Sequence, residues 1–490
     1  MKSLDEMSDY LNPLLVKEIR QLFHSKQYLV LISLFLLGEL SVLYIMMLNY
    51  KDMGTYTKES LGTTAFVFQC IGMSLAVFLL CIFRTCQMFN KERMDKNLDY
   101  TRLCSIMPFT VACGKVFSAT AVMLVIISLI APFMVISYFL RGISLQTIMI
   151  WMLILVPLYM LGIQLAVLFG SIGKKGAEGI LFLTLVIIAP NVIGAMAAAF
   201  LGRSTAAPKI EQVAFMIAMV SVGLFLQAFS WTVALISRSK SNIMFHPRLC
   251  ALLICILYPL LCGCAVFMFP SSTVAVWGRH GDVVMLTGVI MCIVTATLQF
   301  AFVFERDTPG VRVMAERPKS RLLRAGMFFL SSGKAGGISL CTVLQVLGFV
   351  VYQAARIKLH GSYSFDSPLS VSLYMMFYCL FAVMLNRIFP KINTIVCFVI
   401  SLSIWLALPI IAGYSYATLA SMSDSAVYEI LFTTPLYVLA DSAKKSTFLI
   451  YYTYRLLVPL VPCILLLAVL GRYIIREFIH FVKDEEEAAK

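Results

Sequence analysis

An all-α protein of about twelve membrane-crossing helices is what this sequence predicts, and three observations carry the expectation. The 490-residue chain is 60% hydrophobic and only 13% charged. Its mean hydropathy of +0.90 leaves too few polar groups to cover a water-facing surface. The apolar runs recur at roughly the 20-residue length that spans a bilayer as helix, and the ten-residue alternation of a membrane barrel is absent.

The chain opens on a polar stretch, Met1–Lys26, that lacks the apolar core of a cleavable signal, so the first span is expected to target the chain itself. Asn12-Pro13 places a capping side chain before a proline at the first helical position. Leu15, Ile19, Leu22 and Phe23 then share one face and Lys17, Glu18, Arg20, Gln21 and His24 the other. Residues 13–26 therefore read as an amphipathic helix lying along the membrane surface, or as a solvated cap on the first span.

Spans are expected at Leu29–Leu48, Ala65–Cys86, Val116–Leu140, Ile148–Gly170, Ala177–Leu201 and Val213–Ile236. A second set runs Leu249–Phe269, Val283–Phe304, Gly337–Tyr352, Leu369–Arg387, Thr394–Gly413 and Ile450–Leu470. With the N-terminus inside, 28 of the 39 Lys and Arg fall on the cytoplasmic side and 11 on the other, which favours both termini in the cytoplasm. Ala426–Ala440 is apolar but short and carries Glu429 and Pro435, so it reads as a re-entrant or outer-face piece. Asp484–Glu487 reads as a solvated acidic tail. A break near Arg238–Arg248 divides the chain into a six-span core, 1–240, and an added six-span region, 241–490; no sequence repeat joins the halves.

Composition excludes several chemistries. The net charge of +14 is dispersed among connectors, which topology explains without a nucleic-acid partner. The 14 Cys are scattered, many of them inside apolar runs, where thiols act as small hydrophobes. Cys262-Gly-Cys264 has no clustered His, so no metal site is expected. The phosphate-loop pattern GxxxxGK[ST] is missing, since Gly173-Lys174 is followed by Lys175 and Gly333-Lys334 by Ala335. The five His are far apart and form no catalytic set, so neither a catalytic residue nor a directly bound cofactor is assigned.

Glu39 sits in the middle of the first span. An acidic residue there costs about 2.5–3.5 kcal/mol, while each Leu, Ile, Phe or Val returns about 0.3–0.6 kcal/mol. Thirteen such residues between Leu29 and Leu48 offset it, so the helix inserts with Glu39 facing protein or a water-filled path. Glu39, Gln69, Gln164 and Asn191 are the candidate lining of a translocation path; Gln227, Gln299 and Gln345 also lie in spans. The competing reading for each is an interhelical hydrogen bond worth about 0.6 kcal/mol. The basic connector Glu305–Lys334 fixes the cytoplasmic side and meets anionic head groups, or touches a soluble subunit.

The polar interruption at residues 90–115 alternates Lys91, Glu92, Arg93, Asp95, Lys96, Asp99 and Arg102 with Met94, Leu98, Leu103 and Ile106. This predicts a soluble helix that docks by complementary charge, ended by Pro108 before Lys115 opens the next span. Glu92-Arg93, Leu98-Asp99, Leu103, Pro108 and Gly114-Lys115, in that order, resemble the loop after the second span of ABC-2-type transporter permeases. Residues Asn12 to Arg20, NPLLVKEIR, are similar to that family's N-terminal elbow helix. Lys96-Asn97 and Ser105-Ile106 depart from its usual Gly-Thr and Pro-Leu, and twelve spans exceed its six-span plan.

The resemblance implies the membrane subunit of an ABC exporter in the cytoplasmic (inner) membrane, paired as a homodimer or heterodimer of permeases. Separate ATPase subunits would hold the ATP and Mg. It assigns coupling to Glu92, Arg93, Asp95, Leu98, Asp99 and Arg102, supported by Lys17, Glu18 and Arg20. Two rival readings stand beside it. One is an ion- or proton-coupled secondary transporter using Glu39; the other is a membrane-embedded enzyme or assembly factor.

Overall fold

The computed structural model describes residues 26–52, 61–95, 107–139, 144–172, 210–237, 242–268, 280–358, 366–403 and 449–483, with Val16 and Arg20 as isolated helical positions. Among these residues all regular structure is helical and no strand occurs. Eight helical stretches are long and apolar enough to cross a membrane, and Leu29–Ile45 and Phe245–Leu261 are shorter apolar helices. The chain is an all-α, multi-pass membrane protein.

The elements up to Ser237 form one compact unit and those from Arg238 on form another. In the first, α1 (Lys26–Asp52) and α2 (Leu61–Val77) are followed by a π-helical turn, Phe78–Phe83, that continues into α3 (Arg84–Met94). A π turn holds an extra residue, so it rotates the face presented by everything beyond it. Leu80, Cys81 and Ile82 are buried there, and Phe89 and Asn90 are buried further on. The second membrane helix thus runs unbroken from Thr64 to Met94, well past its predicted end at Cys86.

Pro108 corrects the expectation that it closes the preceding helix. It is the first residue of α4 (Pro108–Phe139), the position where a fixed φ and a missing N–H are harmless. Lys115 consequently lies two turns inside α4 instead of opening it. Ser144 caps α5 (Leu145–Ile172) by accepting from the Thr147 N–H at 3.1 Å. The last helix of the unit, α6 (Ile210–Ile236), packs against α5. Phe66, Met73, Phe89, Met123, Trp151 and Ile163 form part of the core they share. Leu34, Leu37 and Leu40 of α1 point outward, as expected of a helix whose other side meets lipid.

The second unit runs α7 (Phe245–Met268), α8 (His280–Phe304), α9 (Val311–Ala315), α10 (Arg321–Leu330), α11 (Lys334–Lys358), α12 (Asp366–Ile388), α13 (Thr394–Leu402) and α14 (Leu449–Val482). Helix α12 is the centre, packed against α8, α11, α13 and α14. Prolines lie inside α4, α5, α7 and α14, as membrane helices tolerate when neighbours satisfy the freed carbonyl. Helix α14 extends twelve residues beyond its expected end at Leu470, carrying Arg472 and Arg476 on its last turns. The expected span Ala177–Leu201, most of Thr394–Gly413, the segment Ala426–Ala440 and nearly all of the elbow 13–26 lie outside the described residues.

Candidate functional site

A cluster of paired charged side chains lies at one end of each unit. In the first, α3 ends beside the first turns of α4, and the Lys115 ammonium meets Glu92 Oε2 at 2.7 Å. Lys115 is almost fully buried, with the Phe89 ring 5.2 Å from its nitrogen, while the Glu92 side chain keeps 28% of its surface exposed. A buried ammonium of this kind is tolerable because a carboxylate and a ring face both oppose its charge. One residue on, Arg93 donates to the Leu235 carbonyl at 3.2 Å, a cation on the last turn of α6, where the carbonyls lack helical partners. Gly170, near the end of α5, lies against α3, and a Cβ there would press on the Cys86 carbonyl and Phe89. Four helices are therefore fastened together at this end.

In the second unit the connector 305–334 is a built structure instead of a simple basic loop. Arg248, on the first turn of α7, is 2% exposed. Its Nη2 lies 2.7 and 2.6 Å from the two oxygens of Glu305 and donates to the Gly333 carbonyl at 3.1 Å. Its Nη1 reaches the Phe329 and Ser331 carbonyls. Glu305 Oε2 also accepts the Gly333 N–H at 2.6 Å. A planar guanidinium with five donors is suited to this convergence, because each carbonyl it donates to lowers the cost of taking its charge from water.

Lys334, the first residue of α11, pairs with Asp307 at 2.9 Å, and its N–H donates to the Arg306 carbonyl at 3.0 Å. Arg324 donates to Pro318, Lys319 and Val482 carbonyls at 2.7, 2.8 and 3.1 Å, and Arg317 donates to Phe481 at 3.2 Å. These two arginines hold the last turn of α14. Around them Phe328 packs edge-on to Phe478, with centroids 5.1 Å apart, and Tyr473 donates to the Asp307 carbonyl at 2.9 Å beneath Arg387.

The intramembrane candidates are dispersed. Glu39 is buried against Gly72 of α2, and its Oε2 has no hydrogen-bond partner among the described residues. Gln69 accepts from Ser137 at 2.5 Å, and Gln164 donates to Thr232 at 2.8 Å. Asn191 lies outside the described residues. In the second unit Ser372 is a hub, bonded to Thr295 at 2.9 Å, to the Gln299 amide and to Gln345. Thr295, Gln345 and Ser372 share the wall of a small pocket with Met291 and Gly348.

Of the coupling residues, Glu92 and Arg93 are engaged as described, and Asp95 is exposed just beyond α3. Arg20 is exposed and helical; Lys17, Glu18, Leu98, Asp99 and Arg102 lie outside the described residues. The arrangement of Arg248, Glu305, Asp307, Lys334 and Arg324 was not singled out by the sequence. Its signal is a lone arginine directly ahead of an apolar run, Pro247-Arg248, together with an acid where the next run ends. No group of His, Cys, Asp and Glu fit for a metal occurs among the described residues. No protein-family model, no curated protein and no solved structure matches this chain.

Proposed function

We propose that the chain is the membrane-spanning subunit of an ATP-driven, ABC-2-type exporter whose ATPase is a separate protein. The observation that supports this reading most is the fastening of α3 to α4 and α6 through Lys115–Glu92 and Arg93–Leu235. A helix that leaves the membrane and remains bonded to two neighbouring spans acts as a lever. Force applied to residues 96–106, which follow it in the sequence, would reach several membrane helices at once. The missing phosphate loop supplies the reason for a partner, and the resemblance at Glu92-Arg93 and Gly114-Lys115 supplies its class.

In this reading ATP biases the spans between states by binding one state of the partner better than the other. Twelve spans, an elbow helix over 13–26 and cytoplasmic termini complete it, with Lys17, Glu18 and Arg20 bracing the lever and Asp95, Leu98, Asp99 and Arg102 facing the ATPase. Affinity purification of the tagged full chain from membranes of its own cells should recover a nucleotide-binding ATPase. Alanine at Leu98, Asp99 and Arg102 together should reduce that recovery at least tenfold while leaving the chain's own yield unchanged. Undiminished recovery removes the coupling assignment.

One observation favours a second reading, a proton-coupled secondary transporter: the buried Glu39 carboxylate, one oxygen of which has no partner among the described residues. That reading requires export that survives ATP depletion and stops when an uncoupler collapses the proton gradient.

A further inference from the structure

We infer that the two units are two copies of one building plan, so that a single chain supplies both halves of the permease. The inference rests on three features that each unit shows independently.

The first is the exit of the second span. In the first unit Phe89 is fully buried three residues before Glu92-Arg93; in the second, Phe302 is fully buried three residues before Glu305-Arg306. Both acids accept a hydrogen bond from the opening of the next span, Glu92 from Lys115 Nζ two turns into α4 and Glu305 from the Gly333 N–H just ahead of α11.

The second is a Gly-Lys pair in the opening part of the third span, Gly114-Lys115 two turns inside α4 and Gly333-Lys334 at the first residue of α11. Both lysines are buried, and both ammonium groups pair with an acid of the segment that leaves the second span, Glu92 in one case and Asp307 in the other. A buried lysine is rare enough that finding it twice at one step of the chain path, each time matched to an acid, argues against coincidence.

The third is the end of the last span. In each unit arginine beyond the apolar part of the second span donates to carbonyls of the final turn, Arg93 at the end of α3 to Leu235 in α6, and Arg317 and Arg324 of the connector to Phe481 and Val482 in α14. Each unit thus has polar bonds at one end that join the exit of its second span, its third span and its last span, made by different residues in the two units.

The copies have diverged where sequence comparison would look for them. The second connector is longer and holds α9 and α10, Glu305 pairs with Arg248, and Lys334 pairs with Asp307. The repeat therefore survives in which groups meet, and hardly at all in the letters between them. Its functional meaning depends on the exporter reading above: if a permease needs two halves, this chain brings both, and its two connectors offer one docking place each to two ATPase copies.

The test is a composition measurement on the full chain. Two versions with different affinity tags are coexpressed, extracted into lipid nanodiscs, purified through one tag, probed for the other and weighed by native mass spectrometry. The expected result is one chain per particle, with the second tag below a few per cent of the first, and two ATPase copies per chain. Two chains per particle, with the tags recovered together, overturns the inference. One chain per particle with no ATPase upholds the single-chain permease and removes the ATPase partner instead, so the two failures are distinguishable. As a second readout, Lys115→Met and Lys334→Met should each lower ATP-driven export at least fivefold; an effect confined to one of them also contradicts equivalent halves.

Discussion

Arg248 and Glu305 show how one buried charge dictates its surroundings. Both side chains are nearly inaccessible, at 2% and 6%, so removing the acid strands a guanidinium among carbonyls and apolar rings. Glu305→Ala should cost about 3–5 kcal/mol and appear as a large fall in the thermal midpoint in detergent. Arg248→Met combined with Glu305→Leu should recover most of it, since replacing both partners leaves no charge to strand. Glu92→Ala should cost less, about 1–3 kcal/mol, because its carboxylate is part-exposed and the Phe89 ring still faces the lysine it leaves. Glu39→Gln should leave stability nearly unchanged and stop transport only if the carboxyl carries a proton. Gly72→Ala gives a matching readout, because the new methyl displaces the flexible end of Glu39 and not a backbone.

At the scale of elements, close helix contacts depend on specific glycines. A Cβ at Gly336 would overlap the Phe328 carbonyl, and one at Gly337 would lie 2.7 Å from both Phe302 Cβ and Arg248 Nη2. Alanine at either position should push α11 away and lower the thermal midpoint, with the larger fall at Gly336, where the obstacle is backbone. Gly326, in α10, faces open space, so Gly326→Ala should be neutral or add about 0.5–1 kcal/mol by reducing unfolded-chain entropy. The helices themselves were legible, because a 20-residue apolar run in a charge-poor chain has few alternatives. Their ends were less so. Apolar counting stops α2 and α3 at Cys86, whereas tertiary bonds from Glu92 and Arg93 carry the helix to Met94. Pro108 looked like a terminator, because proline ends helices as readily as it starts them, and only the following hydrogen-bond ladder decides.

For the whole molecule, the fold class was readable from composition, but the polar junctions were readable only in part. Glu92, Arg93 and Lys115 stood out because they interrupt apolar sequence with alternating charge. Arg248 and Lys334 did not, since a single basic residue at a span boundary is what topology alone would place there, and burial is not written locally. The ends of α3, α5 and α6 and the start of α4 meet at one junction, as do the start of α7, the end of α8 and the end of α14 in the second unit. The proposed cytoplasmic termini predict that reporter fusions at Met1 and at Lys490 both read as cytoplasmic; a C-terminal reporter active outside would contradict that topology.

The proposal that a separate ATPase drives these junctions is tested most directly by amine cross-linking in intact membranes, followed by mass spectrometry of the purified chain. Lys91 lies on α3 and Lys96 just beyond it, while Lys319 sits between α9 and α10. Cross-links from Lys91 or Lys96, and from Lys319, to one nucleotide-binding protein are the predicted result. Cross-links from these lysines only to proteins without a nucleotide site, in membranes actively exporting, would contradict it.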